Sequence, residues 1–219
     1  MTFPTRQQVT VRIDETWFTG FSRYPEPSAE HCCPGGTLDL PAHIDPRAAT
    51  AFHEAGHFVL SVLHSVHVPA VRVDTEPAPS ACAHPPHFAG ANEDLTIQLT
   101  HHSPGTTLTV LAGGARAETR WLLEMGLDLT NTQAWVVELG GMADQHAADC
   151  VLSHHNAWLE HGTGRPGCDY WLHGDVADLL LAEHWDKVQT VAATLLARDR
   201  LTGDELAVLI GLQNSSPAG

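Results

Sequence analysis

Hydrophobic and polar positions alternate near the start of the chain. Val9, Val11 and Ile13 are separated by polar residues, the pattern of a half-buried strand. From Tyr24 to Pro41 the pattern gives way to prolines, glycines, serines and cysteines, which read as a loop. A different period follows. Phe52, Ala55, Val59, Val62 and Leu63 fall mostly three and four apart, so the spacing predicts a helix over 46–66 with one buried stripe. Asp45 can cap it, and Pro46 falls at the first helical position, where a missing N–H costs nothing. Gly56 interrupts this helix and costs about 1 kcal/mol against alanine, so something is expected to pack close to its backbone.

Short alternation returns at Ala70 to Asp74, with Val71 and Val73, and again at Leu95, Ile97 and Leu99. Both read as strands, and the second could pair with the backbone of a bound peptide. Between them, Thr75 to Asn92 is proline-rich and reads as an irregular loop. Helical periodicity covers Thr106 to Met125 and Asn131 to Leu139, and a helix is expected within Met142 to Glu160. His161 to Gly174 is glycine-rich and loop-like. One long amphipathic helix is expected from Asp175 to Arg198, with Leu179, Leu180, Trp185, Val188, Val191 and Leu195 on or near one face. Thr202 and Glu205 form a capping box for a last helix to about Leu212, and Asn214 to Gly219 reads as a frayed tail. There is no internal repeat. The expected fold is mainly α, of α+β type, with a small sheet. An N-terminal strand-and-loop segment spans 1–44, one domain spans 45–213, and a tail follows at 214–219.

The chemistry concentrates in His53-Glu54-Ala55-Gly56-His57. On a helix, positions four apart differ by about 40° around the axis. Both imidazoles can therefore reach one Zn²⁺, while Glu54 stays close enough to take a proton from a metal-bound water. Sixteen histidines make such a motif attainable by chance, so its helical context carries weight. A catalytic zinc takes three protein ligands and leaves one position open. Two carboxylates are candidates for the third: Glu118, in the small-residue helix from Leu111, and Asp144, in the first turn after the Gly140-Gly141 pair. Spacing leaves both open.

Three stretches, in order, resemble the peptidase half of the FtsH-type membrane AAA proteases. Phe52-His53-Glu54-Ala55-Gly56-His57 is similar to that family's zinc motif. Leu111-Ala112-Gly113-Gly114-Ala115-Arg116-Ala117-Glu118 is similar to its Leu-Ala-Gly-Arg-Ala-Ala-Glu-Glu helix. Gly141-Met142-Ala143-Asp144-Gln145-His146-Ala147-Ala148 is similar to its Thr-Gly-Ala-x-Asn-Asp-Leu-x-x-Ala segment, whose Asp, matched by Asp144, binds zinc. Leu181 to Val188 resembles a late helix, and the resemblance spans roughly 45–212. It departs at Gly114, where the family has Arg, at Ala143, where it has Asn, and at Gly140 or Gly141, where it has Thr. The resemblance implies a helical, zincin-like domain in which His53, His57 and Asp144 hold Zn²⁺ and Glu54 is the general base. Glu118 then becomes an acceptor for a ligand imidazole.

The sequence has no run of 18 apolar residues and no G-x-x-x-x-G-K-[ST] loop, and Met1 to Ala42 holds no basic segment followed by an apolar run, so no secretory signal is expected. The expectation is a cytoplasmic, ATP-independent zinc peptidase acting on flexible peptides or exposed protein segments. Such a protein could work with a separate ATPase partner. The family's hexamer is organised by the ATPase domain and does not carry over. A formal charge of −15 argues against nucleic-acid and anionic-membrane partners. Cys32, Cys33, Cys82, Cys150 and Cys168 form no C-x-x-C pair and read as reduced thiols. His84, His87, His101, His102, His154 and His155 read as surface residues, and His146 as a structural residue near the site. The rival expectation is a zinc-binding regulatory or interaction module on a peptidase-like scaffold. Glu54 argues against it, since pure metal binding does not need that carboxylate.

Overall fold

A computed structural model describes residues 6–13, 16–24, 40–41, 43–77, 88–127, 129 and 131–217. Among them are eight helices and five short strands, so the chain is mainly helical with a small antiparallel sheet. No helix among these residues is long and apolar enough to cross a membrane.

The centre of the molecule is α1 (Pro46–Leu63). Asp45 Oδ1 accepts from the Arg47 N–H at 2.9 Å and Pro46 opens the helix, as the sequence predicts. Ala51, Ala55, Phe58, Val59 and Leu60 are fully buried. α1 packs on α3 (Pro104–Glu124) and on α7 (Trp185–Arg198). The contact with α3 is backbone to backbone: a Cβ on Gly56 would lie 2.4 Å from the Gly113 carbonyl oxygen and 2.6 Å from Ala117 Cβ. This is the close approach that a mid-helix glycine implies.

β1 (Gln7–Ile13) and β2 (Thr16–Ser22) form an antiparallel hairpin with Val9 opposite Gly20. The sequence reading finds β1 and misses β2. Phe18 packs with Trp135, Leu139 and Met142, so the hairpin lies on α4 (Asn131–Gly140) and α5 (Met142–His154). The second sheet has the order β4-β3-β5, with β3 (Ala70–Val73) central, β4 (Gly90–Asn92) at one edge and β5 (Arg200–Thr202) at the other.

Two expectations are corrected. Leu95–Leu99 is not a strand but a short helix, α2. Leu95 and Leu99 are buried one turn apart, while Ile97 is 61% exposed. Over five residues a period of two and a turn of helix place the same end residues inward, so the pattern could not separate them. The edge strand near the motif is instead Gly90–Asn92. Second, Asp175 to Arg198 is not one helix. α6 (Tyr170–Glu183) and α7 are separated at His184, and Leu179 is 73% exposed. α6 starts five residues before the expected helix because Asp169 caps it, accepting from the Trp171 and Leu172 N–H groups.

The capping box is present: Thr202 Oγ1 accepts from the Glu205 N–H, and Glu205 Oε2 accepts from the Thr202 N–H. It opens α8 (Gly203–Leu209). The expected frayed tail is pinned at its start, because the Asn214 amide bonds both the N–H and the carbonyl of Val68. Cys150 and Cys168 are unpaired. Cys32, Cys33, Cys82, His84 and His87, and most of the Tyr24 to Pro41 loop, lie outside the described residues.

Gly56→Ala tests the helix contact. Overpacking costs about 1–3 kcal/mol, against a helix-propensity gain of about 1 kcal/mol. With a backbone carbonyl as the obstacle, the clash should dominate, and the denaturation midpoint should fall at an unchanged slope. A midpoint at or above wild type would show that α1 and α3 do not meet at their backbones.

Candidate metal centre

α1 carries both histidines of the motif on the face turned to α3 and α5. His53 Nε2 lies 3.1 Å from Asp144 Oδ2, and His57 Nε2 lies 3.2 Å from Asp144 Oδ1. The three donor atoms fall within 4.8 Å of one another. With zinc bonds of roughly 2.0–2.1 Å, two ligands at a tetrahedral angle are about 3.3 Å apart. The spacing of the group therefore suits a small divalent cation.

Each imidazole is held from behind by α3. His57 Nδ1–H donates to the Val110 carbonyl at 2.9 Å, and His53 Nδ1–H donates to Glu118 Oε2 at 3.1 Å. These bonds place Nδ1–H of both rings on the α3 side, so Nε2 faces Asp144 and is the nitrogen a metal would take once its proton leaves. They also separate the two carboxylate candidates. Glu118 and Asp144 touch the same imidazole at opposite nitrogens, and only Asp144 faces both Nε2 atoms. Asp144 stands in the first turn of α5, where the unpaired N–H groups of the helix start favour a negative charge.

The electrostatics are those of a buried, mutually paired cluster. Burial opposes the charge on His53, yet its bonds to Asp144 and Glu118 outweigh that and hold its pKa well above the ordinary range. Burial opposes charge on His57 too, and attraction to Asp144 raises it overall. Asp144 is the counterpart: burial would raise it, but the two imidazoles hold it well below the usual carboxylate range. Glu54, only 7% exposed, is pushed up by burial, with His53 and His57 pulling the other way.

Glu54 is held by β4. Asn92 Nδ2 donates to Glu54 Oε2 at 2.8 Å and to the Glu54 carbonyl at 3.1 Å. Gly90 lets the strand lie against this carboxylate, since a Cβ there would fall 2.6 Å from Glu54 Cγ. Sequence reasoning missed Asn92 and Gly90, for they sit at the end of a proline-rich stretch without periodic signal. His146 faces the hairpin, its ring 5.0 Å from that of Phe18 and its Nε2 3.8 Å from Cys150 Sγ.

The metal-free cluster has a defined pH dependence. The raised pKa values of His53 and His57 give stability that is complete below about pH 6.5 and is lost as pH rises through their folded values. Asp144, being depressed, gives stability present above about pH 4 and lost as pH falls further. A metal needs neutral imidazoles and must displace those protons. The rise in melting temperature caused by added Zn²⁺ should therefore grow from pH 5.5 to pH 8 (values on the order of the unperturbed His pKa). A shift that shrinks over that range would contradict the ligand set.

Substitution separates ligand from support. His57→Ala and Asp144→Ala should abolish stoichiometric metal binding. Glu118→Ala should keep it, with affinity reduced about 10–100-fold. Elemental analysis and a competitive zinc titration read both, and loss of metal in Glu118→Ala with retention in Asp144→Ala would reverse the assignment. No protein-family model matches this sequence, and no curated protein matches it, so the centre is described by its geometry alone.

Proposed function

We propose that this chain is an ATP-independent zinc metallopeptidase, related to the FtsH-type peptidase domain, that cleaves flexible peptides or exposed protein segments. The observation that carries the reading is the position of Glu54. A pure metal-storage or scaffold site has no use for a buried carboxylate beside the donor pair, held in place by a strand. The donor set alone, two imidazoles and one carboxylate, also suits ferrous iron. A base on the same helix as the paired histidines favours hydrolysis.

Bound to His53 Nε2, His57 Nε2 and Asp144, a zinc ion would lower the pKa of a coordinated water toward ~7 and polarise the scissile carbonyl. The residues of the chain do the rest. Asn92 fixes Glu54 through Oε2, leaving Oε1 to take a proton from the attacking water and to deliver it to the leaving amine. Burial raises the Glu54 pKa, which brings it closer to the range where a carboxyl can both accept and return a proton. β4 pairs only with β3 among the described strands, with Asn92 opposite Val71. An extended peptide added along its outer edge would pass over Glu54 and supply its own backbone hydrogen bonds. This mode requires an unfolded segment, which fits flexible substrates.

Glu54→Gln should keep metal and fold, because Glu54 is not among the donors. Loss of a general base costs about 10²–10⁴-fold in rate, so chelator-sensitive cleavage of an unstructured casein-like substrate should fall by at least that much. The wild-type rate should not change with added ATP. Cleavage by Glu54→Gln at the wild-type rate would exclude this mechanism. Zinc binding by wild type with no cleavage across a broad peptide library would favour the regulatory-module reading. Capture of a partner by Glu54→Gln would then identify what the cleft holds.

A further inference from the structure

Positions 110, 114 and 118 are spaced by four and line one face of α3. The first and last hold the two imidazoles, through the Val110 carbonyl and the Glu118 carboxylate. The middle rung is Gly114. A Cβ built there would lie 2.3 Å from His57 Nε2 and 2.5 Å from His53 Nε2. It would also lie 2.6 Å from His53 Cδ2, so it would strike the edges of both rings, far inside any non-bonded contact. The neighbouring Gly113 is equally crowded but by a different group, since its Cβ would meet Leu60 Cδ1 at 2.4 Å.

We propose that Gly114 keeps both donors in place: a side chain at 114 would fall on the Nε2 edges of the two rings and push them out of the positions in which they can share an ion with Asp144. The proposal rests on the metal centre described above. α3 then has three functions on one face. Val110 orients one ring, Glu118 orients the other, and Gly114 leaves both rings room to stand where they do. The obstacle to a methyl group at 114 is the far end of two histidine side chains, not backbone. The rings can swing away, so the fold survives the substitution while the donor set does not.

Cobalt(II) serves as the probe, because its visible absorption reports coordination by these donors independently of any activity. In metal-free protein, Gly114→Ala should retain wild-type far-ultraviolet circular dichroism and a cooperative melt. Its affinity for Co²⁺ should fall by more than about 100-fold, beyond the 10–100-fold typical of losing a supporting hydrogen bond. Gly113→Ala is the control and should shift stability through Leu60 while keeping Co²⁺ affinity within a few-fold. Wild-type affinity in Gly114→Ala would overturn the proposal and leave the metal centre standing. Equal losses in both glycine variants would also overturn it, since general displacement of α3 would then be the cause. No Co²⁺ binding by the wild type would overturn the metal centre and the proposal together. Should Gly114→Ala fail to fold, the triple variant Gly114→Ala/His53→Ala/His57→Ala removes both obstructing rings. Recovery of folding would support the clash at the imidazoles, and continued failure would overturn it.

Discussion

The contact between α1 and α3 at Gly56 and Gly113 sets everything else in this molecule. Two helices that meet at their backbones leave no room for intervening side chains, so groups flanking the contact are held at short, fixed distances. Facing positions then recur every four residues on both helices. His53 and His57 on one side meet Glu118 and Val110 on the other. With a residue larger than glycine at 56, where the obstacle is the Gly113 carbonyl, the helices would separate, and the hydrogen bonds that orient the rings would lengthen together. The glycines cost helix propensity, roughly 1 kcal/mol each. Apolar burial along α1, with Phe58, Val59 and Leu60 fully enclosed, offsets that cost.

The same closeness creates an electrostatic problem. His53, His57, Asp144, Glu118 and Glu54 are brought together in a largely dry interior, where an unpaired charge is costly. Pairing resolves most of it. Each ring nitrogen has an acceptor or a carboxylate facing it, and Asp144 serves both imidazoles. Glu54 has the least charge compensation, with an amide rather than a cation as its direct partner, and burial raises its pKa accordingly. A cluster that needs two protons to satisfy itself is one that a divalent cation can satisfy in their place.

Much of this was legible in the chain because it is local. Asp45 and Pro46 mark the start of α1, the i, i+4 histidines mark its polar face, and Gly56 marks the contact. The Gly140-Gly141 pair marks the start of α5 and thus the setting of Asp144. What was not legible depends on distant partners. β4 and β5 are three residues each and exist as strands because β3 lies between them. Asn92 reaches Glu54 only through that register, so no spacing within 75–92 could announce it. Leu95–Leu99 was too short for its period to speak. Choosing between Asp144 and Glu118 required knowing which nitrogen of His53 each carboxylate meets, which is a matter of helix orientation.

The N-terminal hairpin, which in sequence looks separable from the domain that follows, takes part in placing Asp144. β2 lies on α5: Phe18 packs beside Met142, and a Cβ at Gly20 would meet the Met142 sulfur at 2.6 Å. Gln145, the residue after Asp144, pairs its amide with both the N–H and the carbonyl of Phe21 at 3.4 Å. His161 closes the arrangement. It is buried and kept neutral, its pKa pushed down to about 4 by desolvation, and its Nε2 bonds Gln145 Oε1 at 3.0 Å. α5 is therefore gripped on its outer side by the hairpin through Gln145 while its inner side presents Asp144 to the imidazoles. A short helix with no side-chain cap at its start would otherwise have little to fix its rotation. Since Asp144 and Gln145 lie about 100° apart around the helix, fixing the direction of one side chain fixes that of the other. The strand segment at the beginning of the chain thereby sets the angle of a candidate metal ligand more than a hundred residues away.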